Sequence, residues 1–313
     1  MEVGPDISGL HPDRLALDTD MSTTGRHRLR LSSGAELSFI VAGEASRPPL
    51  LLMHGMPNSA TMFRDVVPEL SQVAFVIAPD LPGFGESDVL PTPSFEAFGR
   101  AITELLDRLA IGPRFIYLHD FGAPVGFHVA MEAPGEVLGL IVQNANAHAS
   151  GHGPTWAATK EYWSRPTKEN EAASTAHLTL AGTRDQYIAG VPPEVAQRIP
   201  SERWEEDWRV MNLPGRMDTQ RALIKDYGNY VARFDAVAEY LARQQPPALL
   251  LWGRHDIYFD LAEVESWMRD LPRMEAHVFD AGHLLLETHS APALPPLLDF
   301  LRRNQRVDVA GAA

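Results

Sequence analysis

Short, unbroken apolar runs recur along the chain, separated by stretches with the spacing of amphipathic helices. The runs are "PLLLMHG", "VAFVIAPD", "FIYLHD", "LGLIVQN", "ALLLWG" and "EAHVFDAG". Continuous rather than alternating apolarity predicts strands buried on both faces of a parallel sheet. Ahead of them, "HRLRLSS" and "ELSFIVAG" alternate apolar and polar residues, predicting two paired strands joined at Ser33-Gly34. Helical spacing in "SFEAFGRAITELLDRLAI" and "PVGFHVAMEA" completes a strand–helix alternation. The fold class expected is therefore α/β, with right-handed crossovers and a mostly parallel sheet of eight strands flanked by helices.

The rhythm breaks once. Between residues 147 and 243 no strand-like run occurs; prolines, Trp156, Trp163, Trp204, Trp208 and helical pieces such as "PSERWEEDWRVM" fill the gap. A crossover of that length exceeds a loop and predicts an inserted helical cap. The expected organisation is an N-terminal extension over 1–25, a core formed by 26–146 and 244–313, and the cap over 147–243.

Composition narrows the function. A net charge of -14 opposes binding to nucleic acid or to an anionic membrane, which need basic patches. The absence of cysteine removes disulfides, thiolate nucleophiles and thiolate metal sites. The longest apolar runs are too short to span a bilayer, and the acidic start lacks the pattern of a secretory signal, so a cytoplasmic protein is expected. Self-association is left open.

In an open parallel sheet, ligands bind beyond the carboxyl ends of the strands. Those ends carry "HGMP", "HDFG", "GRHD" and "AGH" here. Asp120, Asp256 and His283 therefore fall in the chain order nucleophile, acid, histidine. A lone Asp at a strand end often caps a helix, and Asp260 lies close enough to Asp256 to be mistaken for it. His54 reads as a structural hydrogen-bonding group. His148 and His152 in "HASGHG" lack helical spacing and a third ligand, so they read as loop histidines rather than a metal site. No metal or other cofactor is expected, and "LPGFGES" is not followed by the Gly-Lys-Ser/Thr of a phosphate loop.

On these segments the chain resembles the α/β-hydrolase superfamily over about residues 28–303. "LLLMHGMPNSATMFRDVVPEL" is similar to its oxyanion loop, "LHDFGAPVG" to its nucleophile elbow, and "LLLWGRHDIYF" and "DAGHLLLETH" to its acid and histidine segments. Leu118 and Asp120 replace the Gly and Ser of the commoner elbow. The Asp resembles the branch that contains epoxide hydrolases, haloalkane dehalogenases and haloacetate dehalogenases.

A carboxylate attacking an ester would give an anhydride, whereas attack on a saturated carbon bearing a strained oxygen or a halide gives an ordinary ester that water can cleave. The resemblance implies that His283 activates that water, that Asp256 orients His283, and that the backbone amides of Met56 and Phe121 form the oxyanion hole. Dehalogenases of the branch carry a Trp or an Arg after the nucleophile, where this chain has Phe121. Epoxide hydrolases use two cap tyrosines as acids, and Tyr162 in "EYWSRP" and Tyr227 in "KDYGNY" are the expected pair, with Tyr187 and Tyr230 as substitutes. Trp163 and Tyr187 are expected to line the pocket. The sequence thus points to an epoxide hydrolase acting on a small apolar substrate. A haloalkane or haloacid dehalogenase is the alternative, and a non-catalytic ligand-binding receptor is third.

Overall fold

A computed structural model describes residues 24–305; most of the expected N-terminal extension and the last residues of the core lie outside the described part. The eight strands are β1 (Gly25–Arg30), β2 (Glu36–Ala42), β3 (Pro49–Met53), β4 (Phe75–Pro79), β5 (Arg114–His119), β6 (Val137–Gln143), β7 (Ala248–Gly253) and β8 (Glu275–Phe279). They form one sheet in the order β1-β2-β4-β3-β5-β6-β7-β8. β2 runs antiparallel to both β1 and β4, and every other pairing is parallel. This is the α/β-hydrolase fold.

The unbroken apolar runs are explained by burial on both faces. Along β3 to β5, Leu51, Met53, Ile77, Ile116 and Leu118 join one core cluster. The intervening Leu50, Leu52, Val76, Phe115 and Tyr117 join the other. The period of two is present, but both faces demand apolar side chains, so the alternation vanishes from the sequence. The helix Phe95–Arg108 turns Phe95, Phe98, Ile102 and Leu105 toward the first cluster and is started by Ser94, whose side chain accepts the Ala97 N–H. The helix Leu286–Asn304 covers the opposite face through Leu297, Phe300 and Leu301. Fully burying one such side chain is worth about 1.5–3 kcal/mol.

Between β6 and β7 the described chain is helical or irregular, from the turn Ala149–Gly151 to the helix Phe234–Gln244. Among the described residues no helix is long and apolar enough to cross a membrane. Chain progression reverses between β3 and β5, which are sheet neighbours although β4 lies between them in sequence. Such a switch point leaves a crevice at the carboxyl ends of the two strands.

Candidate active site

Asp120 occupies that crevice at the end of β5. Its φ of +46° places a non-glycine residue in the left-handed region, which costs energy and projects the side chain out of the strand–helix turn. The turn closes through the Ala123 N–H donating to the Asp120 carbonyl at 2.9 Å. It permits no bulk nearby: a Cβ on Gly122 would lie 2.5 Å from the Met53 carbonyl oxygen, and one on Gly55 would collide with the Asp120 side chain. These close approaches let two loops converge on one carboxylate.

The two carboxylate oxygens face different partners. Oδ1 accepts the Met56 N–H at 2.7 Å, and the Phe121 amide also hydrogen-bonds to the group. Oδ2 lies 3.7 Å from His283 Nε2. Burial raises the Asp120 pKa, and the neighbouring His283 and the two amides only partly offset it. His283 Nδ1 lies 2.8 Å from Asp256 Oδ2, so with the N–H directed to the carboxylate, Nε2 carries the free lone pair. Nε2 is buried and makes no hydrogen bond with a described residue. Burial disfavours the imidazolium, but Asp256 and Asp120 outweigh it and raise the pKa.

Asp256 is the residue so placed, not Asp260. Its Oδ1 accepts the backbone N–H groups of Tyr258 and Phe259 at 2.7 and 3.2 Å. Asp260 instead accepts the Ala262 N–H at the start of the next helix. Asn144 completes the arrangement, and the sequence reading passed it over. Held at φ +39° after β6, it donates to Asp256 Oδ2 at 2.8 Å and accepts the Gly253 N–H at 2.9 Å, while its carbonyl accepts the Asp120 N–H at 3.3 Å. An Asn just past a buried strand was the available signal, since Asn tolerates the left-handed conformation.

The histidines read as structural have partners that fix them. His54 Nε2 accepts the Leu81 N–H at 2.9 Å, and burial lowers its pKa. His148 lies between Glu263 and Asp270, at 2.8 and 3.1 Å. His152 Nε2 lies 2.8 Å from the Asn146 amide nitrogen.

A cavity of about 360 Å³ opens over Asp120. Met56 and Phe121 border it beside the carboxylate, and Trp156, Ile224, Tyr227 and Tyr258 form its walls. Of the expected tyrosines, Tyr227 lines the cavity, with its hydroxyl donating to Asn146 Oδ1. Tyr162 is buried in the helix Ala157–Ser164 and does not line it. Trp163 stacks behind Tyr227, with ring centroids 6.0 Å apart, and donates its indole N–H to the Ile224 carbonyl. Trp156 and Tyr258 occupy the wall instead, and no periodicity in the sequence distinguishes them from core aromatics.

Tyr187 also lies off the cavity. Its hydroxyl donates to Asp207 Oδ2 at 2.5 Å, and the Asn58 amide donates to the same oxygen at 2.8 Å. This ties the helices of the insertion to the loop that carries Met56. Burial pushes the Asp207 carboxyl up to about 7, against the opposing hydrogen bonds from Tyr187 and Asn58. The folded chain thus retains a proton that the unfolded chain releases above about pH 4, so this stabilisation is present in acid and lost as pH rises to about 7. Asp207→Asn is expected to flatten that dependence: between about pH 5 and about pH 8 the wild type loses more Tm than the variant. Equal slopes in paired thermal melts would contradict the shifted titration.

Comparison with known proteins agrees with this fold. Residues 48–290 match the alpha/beta hydrolase fold family, and the chain belongs to it. An uncharacterized hydrolase of Saccharomyces cerevisiae is 31% identical over 287 residues, covering 89% of this chain and 97% of its own. A haloalkane dehalogenase of Mycobacterium marinum is 26% identical over 242 residues, 76% of each chain. Among solved structures, the epoxide hydrolase CorEH superposes with a TM-score of 0.71 at 22% identity, covering 90% of this chain and 99% of that one, a likeness of fold. The Asp at the elbow fits the aspartate branch of the family.

Proposed function

We propose that the protein is an epoxide hydrolase that opens small, mostly apolar epoxides to vicinal diols through an ester on Asp120. The observation that carries this reading is the division of labour between the two oxygens of Asp120. Oδ1 accepts the Met56 amide, with the Phe121 amide also bonded to the carboxylate, while Oδ2 lies beside His283, placed to attack a saturated carbon. Attack breaks the carbon–oxygen bond of the strained ring, and a tyrosine on the cavity wall protonates the released oxygen.

In the second stage His283 takes a proton from water, and the hydroxide adds to the acyl carbon of the esterified Asp120. The oxyanion develops on Oδ1, where the same two amides receive it, each worth roughly 3–4 kcal/mol. Asp256, held by Asn144 and two backbone amides, keeps the imidazole oriented and stabilises its cation.

The dehalogenase reading is favoured by the Mycobacterium marinum relative. The groups expected to grip a halide beside the nucleophile argue against it. Trp156 and Trp163 donate their indole N–H groups to the carbonyls of Tyr258 and Ile224, and neither the Met56 nor the Phe121 side chain has a donor for a departing halide. Among the described residues no Arg or Lys lines the cavity to hold a haloacid carboxylate, and Asp185 in its lining would repel one.

A single turnover in heavy-oxygen water, with enzyme in excess over styrene oxide, tests the ester. The first diol formed is expected to be unlabelled, because its new oxygen comes from Asp120, while Asp120 gains one heavy oxygen. Label in the first-formed diol would mean direct attack by water and remove the ester from the scheme.

A further inference from the structure

We propose that Tyr258 is the proton donor to the oxygen released when the epoxide ring opens, an assignment that rests on the epoxide reading above. Two phenols border the cavity with Asp120, namely Tyr227 and Tyr258. The Tyr227 proton is already committed to Asn146 Oδ1, and the Asn146 amide is fixed in turn by donating to His152 Nε2 at 2.8 Å. Burial lowers the His152 pKa to about 4, which keeps the ring neutral at neutral pH, and the contact from the Asn146 amide nitrogen then calls for the tautomer with its proton on Nδ1. Serving substrate from Tyr227 would leave a buried carbonyl oxygen without its donor.

Tyr258 requires no such exchange. Its hydroxyl makes no hydrogen bond with any described residue, while the residue lines the cavity. The backbone is held from two sides: its N–H donates to Asp256 Oδ1 at 2.7 Å, and its carbonyl accepts the Trp156 indole N–H at 2.7 Å. The ring packs edge-on against His283 with centroids 5.1 Å apart. The phenol is thus carried on the loop that supplies the triad acid, beside the base. Of the aliphatic hydroxyls on the cavity wall, Thr155 donates to the Ile257 carbonyl and Ser174 to the Glu171 carbonyl, while Thr159, with no hydrogen bond to a described residue, is an alcohol and a far weaker acid than a phenol. Burial, with the charges of Asp256, Asp185 and Asp120, raises the Tyr258 pKa, so the phenol keeps its proton until an alkoxide forms next to it.

The protons balance. Asp120 Oδ2 bonds to carbon, the ring carbon–oxygen bond breaks, and the oxygen keeps the electron pair and takes the Tyr258 proton. His283 later takes one proton from water and returns it to the departing alcohol oxygen. The second proton of that water, left on the Asp120 carboxyl, returns to the tyrosinate.

The test compares wild type, Tyr258→Phe and Tyr227→Phe in single turnovers with styrene oxide, following formation and decay of the Asp120 ester by quenched mass spectrometry. Tyr258→Phe deletes a hydroxyl without a protein partner, so it costs the fold no hydrogen bond. It is expected to slow ester formation about 100-fold and to leave ester decay within about twofold. A residue that only packs against His283 would slow decay, the step in which His283 acts. Ester formation at the wild-type rate in Tyr258→Phe, or a loss confined to decay, overturns the assignment while leaving the epoxide reading in place. Absence of any ester on the wild type overturns the epoxide reading itself, and the role of Tyr258 with it.

Discussion

Asp120→Ala is expected to lower kcat/KM by about 10⁴-fold or more on every substrate the wild type turns over. Removing a nucleophile removes the covalent route rather than weakening one interaction along it. The variant should nevertheless fold. The wild-type carboxyl is buried, and its pKa lies above the ordinary Asp value. A carboxyl shifted in that direction stabilises the fold in acid, and the contribution is lost as pH rises through the folded value. At neutral pH the charged side chain is therefore a burden on the fold, and its removal offsets the loss of an acceptor for the Met56 and Phe121 amides. Thermal melting at pH 7 within a few degrees of wild type, together with abolished activity, is the expected pair of results. Residual turnover within tenfold of wild type would remove Asp120 from the chemistry.

His283→Gln separates the two halves of the reaction. In the proposed scheme ester formation needs only Asp120 Oδ2 and a proton donor, whereas ester cleavage needs the base. The variant is expected to take up one equivalent of epoxide and then stall, with kcat reduced by about 10³-fold or more. Intact-mass measurement should find a gain equal to the whole epoxide, and peptide mapping should locate it on Asp120. With a haloalkane the gain would be the alkyl group alone, so the same experiment discriminates between the two readings of the electrophile. Rapid turnover without an adduct would mean that His283 is not the base of the second stage. A Gln at this position can still reach toward Asp256, which limits structural side effects of removing an imidazole that is only 2% exposed.

The sheet was legible in the sequence because burial on both faces leaves apolar runs that turns and helices interrupt. The grouping of Asp120, Asp256 and His283 was legible because the strand ends carry them in one recognisable order, and these three side chains lie together in the structure. Leu118, which departs from the commoner elbow, packs directly over Gly126 of the following helix, so the apolar side chain occupies the space that a larger residue at 126 would need. The cavity wall was much less legible. Which face of a helix in the insertion looks inward depends on how the helices pack on one another, and four tryptophans and several tyrosines offered no periodic clue. Tyr187 shows the difficulty: its hydroxyl is claimed by Asp207, a residue twenty positions away on a different helix. Asn144 and Tyr258 escaped notice for a simpler reason. Their roles rest on backbone conformation and on loop hydrogen bonds, which residue type alone does not reveal.

The upward shift of the His283 pKa has a consequence for the order of events. Part of it comes from the negative charge on Asp120, and an alkylated Asp120 is neutral. In the proposed scheme, the charge on Asp120 before alkylation favours the protonated imidazole, a form that cannot take up a further proton. Esterification of Asp120 would remove that attraction and favour the neutral imidazole, the form that accepts a proton from water. In that scheme the ester itself would favour the form of His283 that cleaves it, with no movement of the protein required for the timing.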